Sequence, residues 1–237
     1  MSSGPLVTLT LWGVGPVAVP RAVLRMALDR RHLARAPGLT FAKLLGTGEG
    51  RTFTLRDADP LHWGLLAVWE DARSAERFAA GRTHRAWEAF ARERLQVTLR
   101  PIASRGLWSG KQPFGNPSPH QALGPVAALT RARIRLGRAR AFRRAVPPVS
   151  ADLHSVPGLR LAVGVGEAPV GLQGTFSVWE SSQALVEFAH KRVAHRDVVR
   201  RTTQEQWYAE ELFARFDVLD LVGTLHGRRP GLDGTAP

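Results

Sequence analysis

The stretch LLAVWEDARSAERF (65–78) recurs 110 residues later as TFSVWESSQALVEF (175–188). Trp69 and Trp179 occupy the same place in the two copies, as do Phe78 and Phe188. In each copy an apolar, extended pattern passes into a helical one after the Trp-Glu pair, which predicts a strand followed by a helix. The spacing therefore indicates that the chain contains an internal duplication.

The elements around these two copies follow one order. In the first half, extended patterns at 6–12, 40–50, 62–70 and 95–110 alternate with helical patterns at 20–36 and 72–94, the second bent at Gly81. In the second half, matching patterns lie at 126–136, 137–155, 174–180 and 212–223, and the Pro-Gly-Leu break of 37–39 recurs at 157–159. This order predicts an α+β fold built from two ferredoxin-like βαββαβ units.

The best boundary between the units is the Pro- and Gly-rich segment before residue 126. We assign 1–110 to the first unit, 111–125 to a linker, 126–224 to the second unit with the candidate site, and 225–237 to a flexible tail. A single unit covers one sheet face with helices and leaves the other bare. Two units in one chain can cover both bare faces by packing sheet to sheet, so we expect a dimeric α/β-barrel-like fold within one chain.

Composition excludes several classes of function. The 237 residues carry a formal net charge of +13, with 30 arginines among 33 basic residues. An arginine excess of this kind is typical of GC-rich genomes, so we do not expect a nucleic-acid partner. The absence of cysteine excludes disulfides, thiolate haem ligation, protein-ligated iron–sulfur clusters and cysteine nucleophiles. Without a long apolar run or a signal-like N-terminus, we expect a cytoplasmic protein.

One histidine stands out in the segment from Phe188 to Phe216, which reads as helix, turn and strand. At 100° per residue, His195 shares an arc with Ala184, Phe188, Val198 and Val199, while His190 lies on the other side. A buried imidazole needs a hydrogen-bond partner or a metal. The pattern alone leaves two possibilities open: His195 is a core histidine with a hydrogen-bond partner in the protein, or it is a metal ligand.

Other charged residues allow two interpretations each. Glu210 and Glu211 could act as acid or base, or be surface charges. Arg215 alternates with Phe213, and an inward arginine would need an anion, either a protein carboxylate or a cofactor propionate. Arg131, Arg133 and Arg135 alternate with apolar residues, which is typical of a strand with one wet face or with an electrostatic docking face. The eight histidines are too scattered for a metal-binding motif, so a bound metal would take a single axial bond within a macrocycle.

Four motifs carry a resemblance to a known family: PGLTFAKLLGTGEG (37–50), HWGLLAVWED (62–71), GLWSGKQPF (106–114) and EELFARF (210–216). Together they make the chain, from about residue 6 to residue 222, resemble the spheroidene monooxygenases, the acyclic carotenoid 2-ketolases. The resemblance implies a haem-dependent monooxygenase that oxidises a methylene of a linear carotenoid, or of a similar apolar polyene, to a ketone.

The resemblance also implies the site and its partners. Haem b would be bound through His195 as the axial iron ligand, with Phe188, Val199 and Arg215 around the cofactor; His84 and His190 are the alternative ligands. O2 would be the co-substrate, and an external donor such as ferredoxin would supply electrons. A lipid-like substrate and a basic surface further suggest peripheral membrane association. Two alternatives stay open: a cofactor-free oxygenase on the same fold, and a non-enzymatic lipid or pigment carrier.

Overall fold

In a computed structural model, the structure of the chain is described for residues 4–48, 57–135, 156–167, 174–191 and 208–230. These residues form eight strands: β1 Leu6–Val14, β2 Leu39–Gly48, β3 Ala58–Trp69, β4 Ala91–Gly106, β5 Val126–Ile134, β6 Leu159–Gly166, β7 Gly174–Trp179 and β8 Tyr208–Gly223. The α-helices are α1 Val19–Leu33, α2 Ala72–Ala79, α3 Arg82–Glu88 and α4 Ser182–Lys191.

The eight strands close into one antiparallel barrel, in the order β1-β3-β2-β6-β7-β5-β8-β4. The first half contributes β4-β1-β3-β2 and the second half β8-β5-β7-β6, which is the same order. The α+β class is therefore confirmed, and so is the shared strand order that a duplication requires. The halves also pair along both sheet edges, β4 with β8 and β2 with β6, which leaves no unpaired edge strand in the barrel. The helix predicted for 137–155 lies outside the described residues.

The registers repeat along with the strand order. Trp69 pairs with Leu6 on one side and Leu39 on the other. Trp179 pairs in the same way with Val126 and Leu159. The register shifts just after Leu39 and again just after Leu159, so even the irregularity is duplicated. Structural equivalence between the halves can therefore be read residue by residue.

The barrel interior is a dry apolar core supplied by both halves. Alternate residues of each strand point inward, and members of all eight strands meet there: Val7, Leu9, Leu45, Leu66, Val97, Leu129, Val163, Phe176 and Phe216. The two sheet faces thus cover each other, as expected from two units with one bare face each. Trp69 and Trp179 point outward, where helices cover them, and both are fully buried.

Two elements differ from the sequence prediction. The helix predicted for 72–94 is two short helices, because Gly81 ends one and serves as the N-cap of the next. The remainder of the predicted helix, from residue 91, already belongs to β4. The start of the predicted tail also has contacts: Leu225 is buried in the barrel core.

The loops that follow β4 and β8 have the same conformation. Both begin at a glycine with positive φ, Gly106 at 89° and Gly223 at 105°. Both also contain a non-glycine residue in the left-handed region, Ser109 at 55° and His226 at 52°. Each loop closes with an isolated antiparallel bridge, so the duplication extends beyond the sheets.

A glutamate from the opposite half holds each loop. Glu210 of β8 accepts from the backbone N–H groups of Ser109 and Gly110, at 3.0 and 2.8 Å. Glu93 of β4 accepts from the two equivalent N–H groups of the other loop, at 2.9 and 3.0 Å. These charge-assisted bonds are stronger than neutral ones. The two crossed contacts tie the halves together where β4 and β8 pair.

We expect Gly106→Ala to destabilise the protein more than Gly110→Ala. Both glycines have positive φ, so both substitutions carry the left-handed strain of about 1–2 kcal/mol. A methyl group on Gly106 would also overlap the carbonyl oxygen of Glu211, whereas nothing lies within 4 Å of one on Gly110. Overpacking of this kind costs roughly 1–3 kcal/mol more. Urea unfolding of both variants measures the difference, and equal losses would contradict the crossed-loop geometry.

Candidate functional site

The two halves differ most on the outer faces of their sheets. In the first half, Leu65 pairs with Leu44, and both lie under the helices with Trp12. The equivalent pair in the second half is Thr175 with Gly164. Trp12, six residues after Leu6, is equivalent to Ala132, six after Val126. The second half therefore has a floor of small residues where the first half has a packed aromatic and aliphatic layer.

Helix α4 covers one end of this floor. Ala184 and Phe188 lie on its buried face, and the Phe188 ring stacks on Trp179 with centroids 5.3 Å apart. The shared buried face predicted for these two residues is confirmed. His195 and Val199 lie outside the described residues, as does the side chain of His190, so their roles stay predictions.

Arg215 is not an inward residue. Leu212, Ala214 and Phe216 of β8 point into the barrel, so the alternation places Arg215 on the outer face, where it is exposed. Arg215 shares this outer face with Phe213, as their spacing predicts, because the apolar residues that alternate with them are the ones that face the core. Its role toward a cofactor stays a prediction. Arg215 pairs across the sheet with Ala128 and so lies beside the small-residue floor.

His84, the alternative ligand, belongs to the filled half. It is buried on α3, and its ring meets Trp12 edge to face, with centroids 5.3 Å apart. Its Nε2 atom has no hydrogen-bond partner among the described residues. Burial lowers the pKa of His84, which favours the neutral ring. Trp12 and Trp87 stack at 5.0 Å in the same layer, so the described residues leave no flat space for a macrocycle beside this imidazole.

A network of buried charges closes one mouth of the barrel. Arg131 is only 4% exposed and bonds the carboxylates of Glu210 and Glu167. Glu167 also accepts from Lys43 at 2.5 Å and from the Trp108 indole N–H at 2.6 Å. The prediction that Arg131 lies on a wet face was wrong, because its counter-charges come from strands far along the chain. Glu210 is part of this network and of the crossed loop, and is not a free surface charge.

The opposite mouth contains a smaller cluster around His62. This imidazole is buried, with Nδ1 2.6 Å from Asp59 and Nε2 2.8 Å from Glu93. Burial by itself would raise the pKa of Glu93, but hydrogen bonds from His62, Gly227 and Thr224 lower it to about 2. Burial favours neutral His62, yet the two carboxylates outweigh this and raise its pKa. Sequence reasoning missed this cluster because Glu93 and His226 are far along the chain from Asp59 and His62.

Among the described residues, no helix is long and apolar enough to cross a membrane.

Comparisons with known proteins agree with the resemblance seen in the motifs. No family model matches the chain. It is 34% identical to the spheroidene monooxygenase of Rhodobacter capsulatus over 233 residues, which are 95% of each protein. It is 37% identical to the spheroidene monooxygenase of Rubrivivax gelatinosus over 233 residues, 97% of this chain and 88% of that protein.

Solved structures show the same fold at low identity. A crystal structure of aldoxime dehydratase aligns with a TM-score of 0.59 at 10% identity, over 93% of this chain and 84% of that one. A second aldoxime dehydratase, in complex with butyraldoxime, aligns with a TM-score of 0.55 at 12% identity, over 92% and 81%. At such identities the likeness concerns the fold alone.

Replacing Glu210 by Gln should lower the free energy of unfolding at neutral pH. The difference between wild type and variant should become smaller in acid. Burial would raise the pKa of Glu210, but bonds from the N–H groups of Gly110 and Ser109 and from Arg131 lower it. A lowered carboxyl pKa stabilises the fold above the unfolded value of 4.5, and this contribution is lost as pH falls through the folded pKa. Unfolding free energies of wild type and Glu210→Gln, measured from pH 7 to 3, should therefore converge.

The matched control for this measurement is Glu76→Gln, at an exposed position on α2. Its offset from wild type should be small and nearly independent of pH. A constant offset for Glu210→Gln across the same range would contradict the role assigned to its ionised form.

Proposed function

This chain belongs to the spheroidene monooxygenase family and is an oxidoreductase, and we propose that it oxidises a methylene of a linear carotenoid, or of a similar apolar polyene, to a ketone. The proposed reaction is haem-dependent, takes O2 as co-substrate and draws electrons from an external donor such as ferredoxin. The single observation that supports a specific place for the chemistry is the small-residue floor of the second half.

The residues of that floor suit a large flat cofactor. Ala132, Gly164 and Thr175 replace the bulky layer formed by Trp12, Leu44 and Leu65. A buried tryptophan alone covers roughly 150–250 Å² of surface, so its replacement by alanine frees room on the scale of a ring system. The floor is dry on its barrel side, where Val163 and Phe176 are fully packed. We therefore place haem b on the outer face of β5, β6 and β7.

The chain supplies four residues to this proposed site. His195, which lies outside the described residues, would hold the iron through a ring nitrogen. Phe188 and Val199 would line the same face. Arg215, exposed beside Ala128, would pair with a propionate at the solvent edge. When bound, the haem supplies the oxygen activation and electron transfer that no amino-acid side chain can provide.

The protein's own part is to orient the substrate and to exclude water. A polyene offers almost no hydrogen-bonding groups, so it must be held by apolar contact and shape. Small side chains on the floor leave space next to the cofactor, and Trp179 with Phe188 forms an apolar wall at one end. A dry site also protects reactive species from side reactions with solvent.

Two alternative functions can be distinguished from this proposal by the absorption spectrum of the purified protein. A cofactor-free oxygenase or a pigment carrier on this fold would purify without haem absorption even after expression with ample haem. A carrier would also bind a polyene without consuming O2. Fold alone does not separate these functions, because the same architecture hosts many.

Replacing His195 by Ala should remove the Soret band and ketolase activity while leaving a folded protein. The proposed ligand provides the only protein bond to iron, so its loss should release the cofactor. The control is His190→Ala, five residues earlier in the sequence, which should keep the spectrum and change stability by no more than about 0.5 kcal/mol. Absorption spectra and circular dichroism of both variants measure the outcome.

Full haem occupancy in His195→Ala with an unchanged spectrum would contradict the ligand assignment. Loss of haem in His84→Ala instead would place the site in the first half.

We also propose that the protein binds membranes peripherally through helix α1. The helix buries its acidic residue, Asp29, which accepts from Trp87 at 2.8 Å and pairs with Arg25. It exposes Leu24 and Leu28, which are 57% and 45% accessible. Four further arginines, in the helix or just after its end, are exposed to solvent: Arg21, Arg30, Arg31 and Arg35. An apolar strip framed by cations is typical of helices that lie in an anionic lipid interface. The same charges would repel a second copy of this chain.

The double substitution Leu24→Glu/Leu28→Glu should weaken binding to phosphatidylserine-containing vesicles by at least about tenfold, since both apolar and electrostatic contacts are lost. Leu219→Glu/Val222→Glu introduces the same charges at exposed positions of β8 and should bind nearly as well as wild type. Co-sedimentation at low and high salt measures both. Equal losses in the two variants would show that net charge, and not this face, governs binding.

A further inference from the structure

The cluster at the second barrel mouth has the composition of a metal centre. Ligand-type atoms of Asp59, His62 and His226 all lie within 4.8 Å of one another. The rings of His62 and His226 are 4.2 Å apart between centroids. Glu93 lies outside this group, on the other side of the His62 ring from Asp59, with a carboxylate oxygen 2.8 Å from Nε2. Two imidazoles and a carboxylate form a donor set that suits divalent first-row transition metals.

Each of these side chains is already held in place. Asp59 accepts from the backbone N–H of Leu61 at 2.8 Å through its second oxygen. Glu93 accepts from the Thr224 hydroxyl at 2.9 Å as well as from its loop N–H groups. Outer hydrogen bonds of this type orient ligands and raise metal affinity. The donor atoms therefore need little ordering before an ion could bind.

The pseudo-symmetry distinguishes this mouth from the other. Glu93 and Glu210 are equivalent, but the cation that faces Glu210 is the guanidinium of Arg131, which cannot ligate a metal. The left-handed position of the loop is Ser109 at that mouth and His226 at this one. The same framework therefore presents imidazoles at one end only. The histidine at a strained backbone position lies directly over a buried one.

We propose that Asp59, His62 and His226 bind one divalent transition-metal ion such as Zn²⁺, while Glu93 stays hydrogen-bonded to the other ring nitrogen of His62. Binding displaces the proton that His62 Nδ1 shares with Asp59, and the Nε2–H group keeps its bond to Glu93. The ion would join β3 to the loop after β8, next to the contact of Glu93 with that loop, and so strengthen one of the two crossed contacts between the halves. This site is separate from the proposed haem site, and it is exposed to solvent on the His226 side.

The test uses tag-free, full-length protein treated with a chelator and then titrated with Zn²⁺. Isothermal titration calorimetry should give one site per chain, and the thermal midpoint should rise with Zn²⁺ concentration because the ion binds the folded state. The key variant is His226→Ser, which introduces the residue that the equivalent loop carries at the same positive φ. It should fold as wild type and bind Zn²⁺ at least about tenfold more weakly.

A second variant and a control complete the design. His62→Gln should also lose binding, whereas His120→Ala should not, since His120 is exposed, pairs with Asp217 at 2.9 Å and belongs to no group of three metal-type ligands among the described residues. No saturable Zn²⁺ binding by wild type would overturn the proposal. Binding of unchanged affinity in His226→Ser would overturn it as well.

Discussion

The crossed hydrogen bonds of Glu93 and Glu210 are the contacts on which the single-chain barrel depends. The apolar alternation of β4 and β8 excludes a slip by one residue, because it would turn the core side chains outward, but a slip by two residues keeps them inward. Here each half supplies a carboxylate that accepts from two N–H groups in the loop of the other half. The observed pairing of β4 with β8 satisfies both carboxylates at once, and a slip by two residues would move both away from these N–H groups. The same two carboxylates also bond the buried side chains at the two mouths of the barrel, Arg131 at one and His62 at the other.

Duplication with divergence explains how this frame gains a functional face. The first half keeps a filled layer, in which Trp12 and Trp69 of the sheet pack with Trp87 of α3. Stability from that layer allows the second half to replace large residues by Ala132, Gly164 and Thr175 on the same outer surface. The filled half acts as scaffold, and the proposed chemistry lies on the small-residue floor of the other half. The first half also contains helix α1, which carries the proposed membrane-binding face.

The architecture could be predicted from the sequence because a few large residues repeat at constant spacing. Trp69 with Trp179, and Phe78 with Phe188, gave the strand order in advance. Arg131 could not be placed, since its partners Glu167 and Glu210 are 36 and 79 residues away and its strand alternates in either phase. The crossed loops did have a signal, which was overlooked: GLWSGK (106–111) and GTLHGR (223–228) recur at a spacing of 117, seven more than the tryptophans.

The central claim is that the cofactor lies on the outer face of the second half. A crystal of the haem-loaded protein, measured at the iron absorption edge, locates the metal without reference to any ligand assignment. We predict one strong anomalous peak outside β5, β6 and β7, on the side of Ala132, Gly164 and Thr175. A peak beside His84 in the first half, or inside the barrel, would contradict the account.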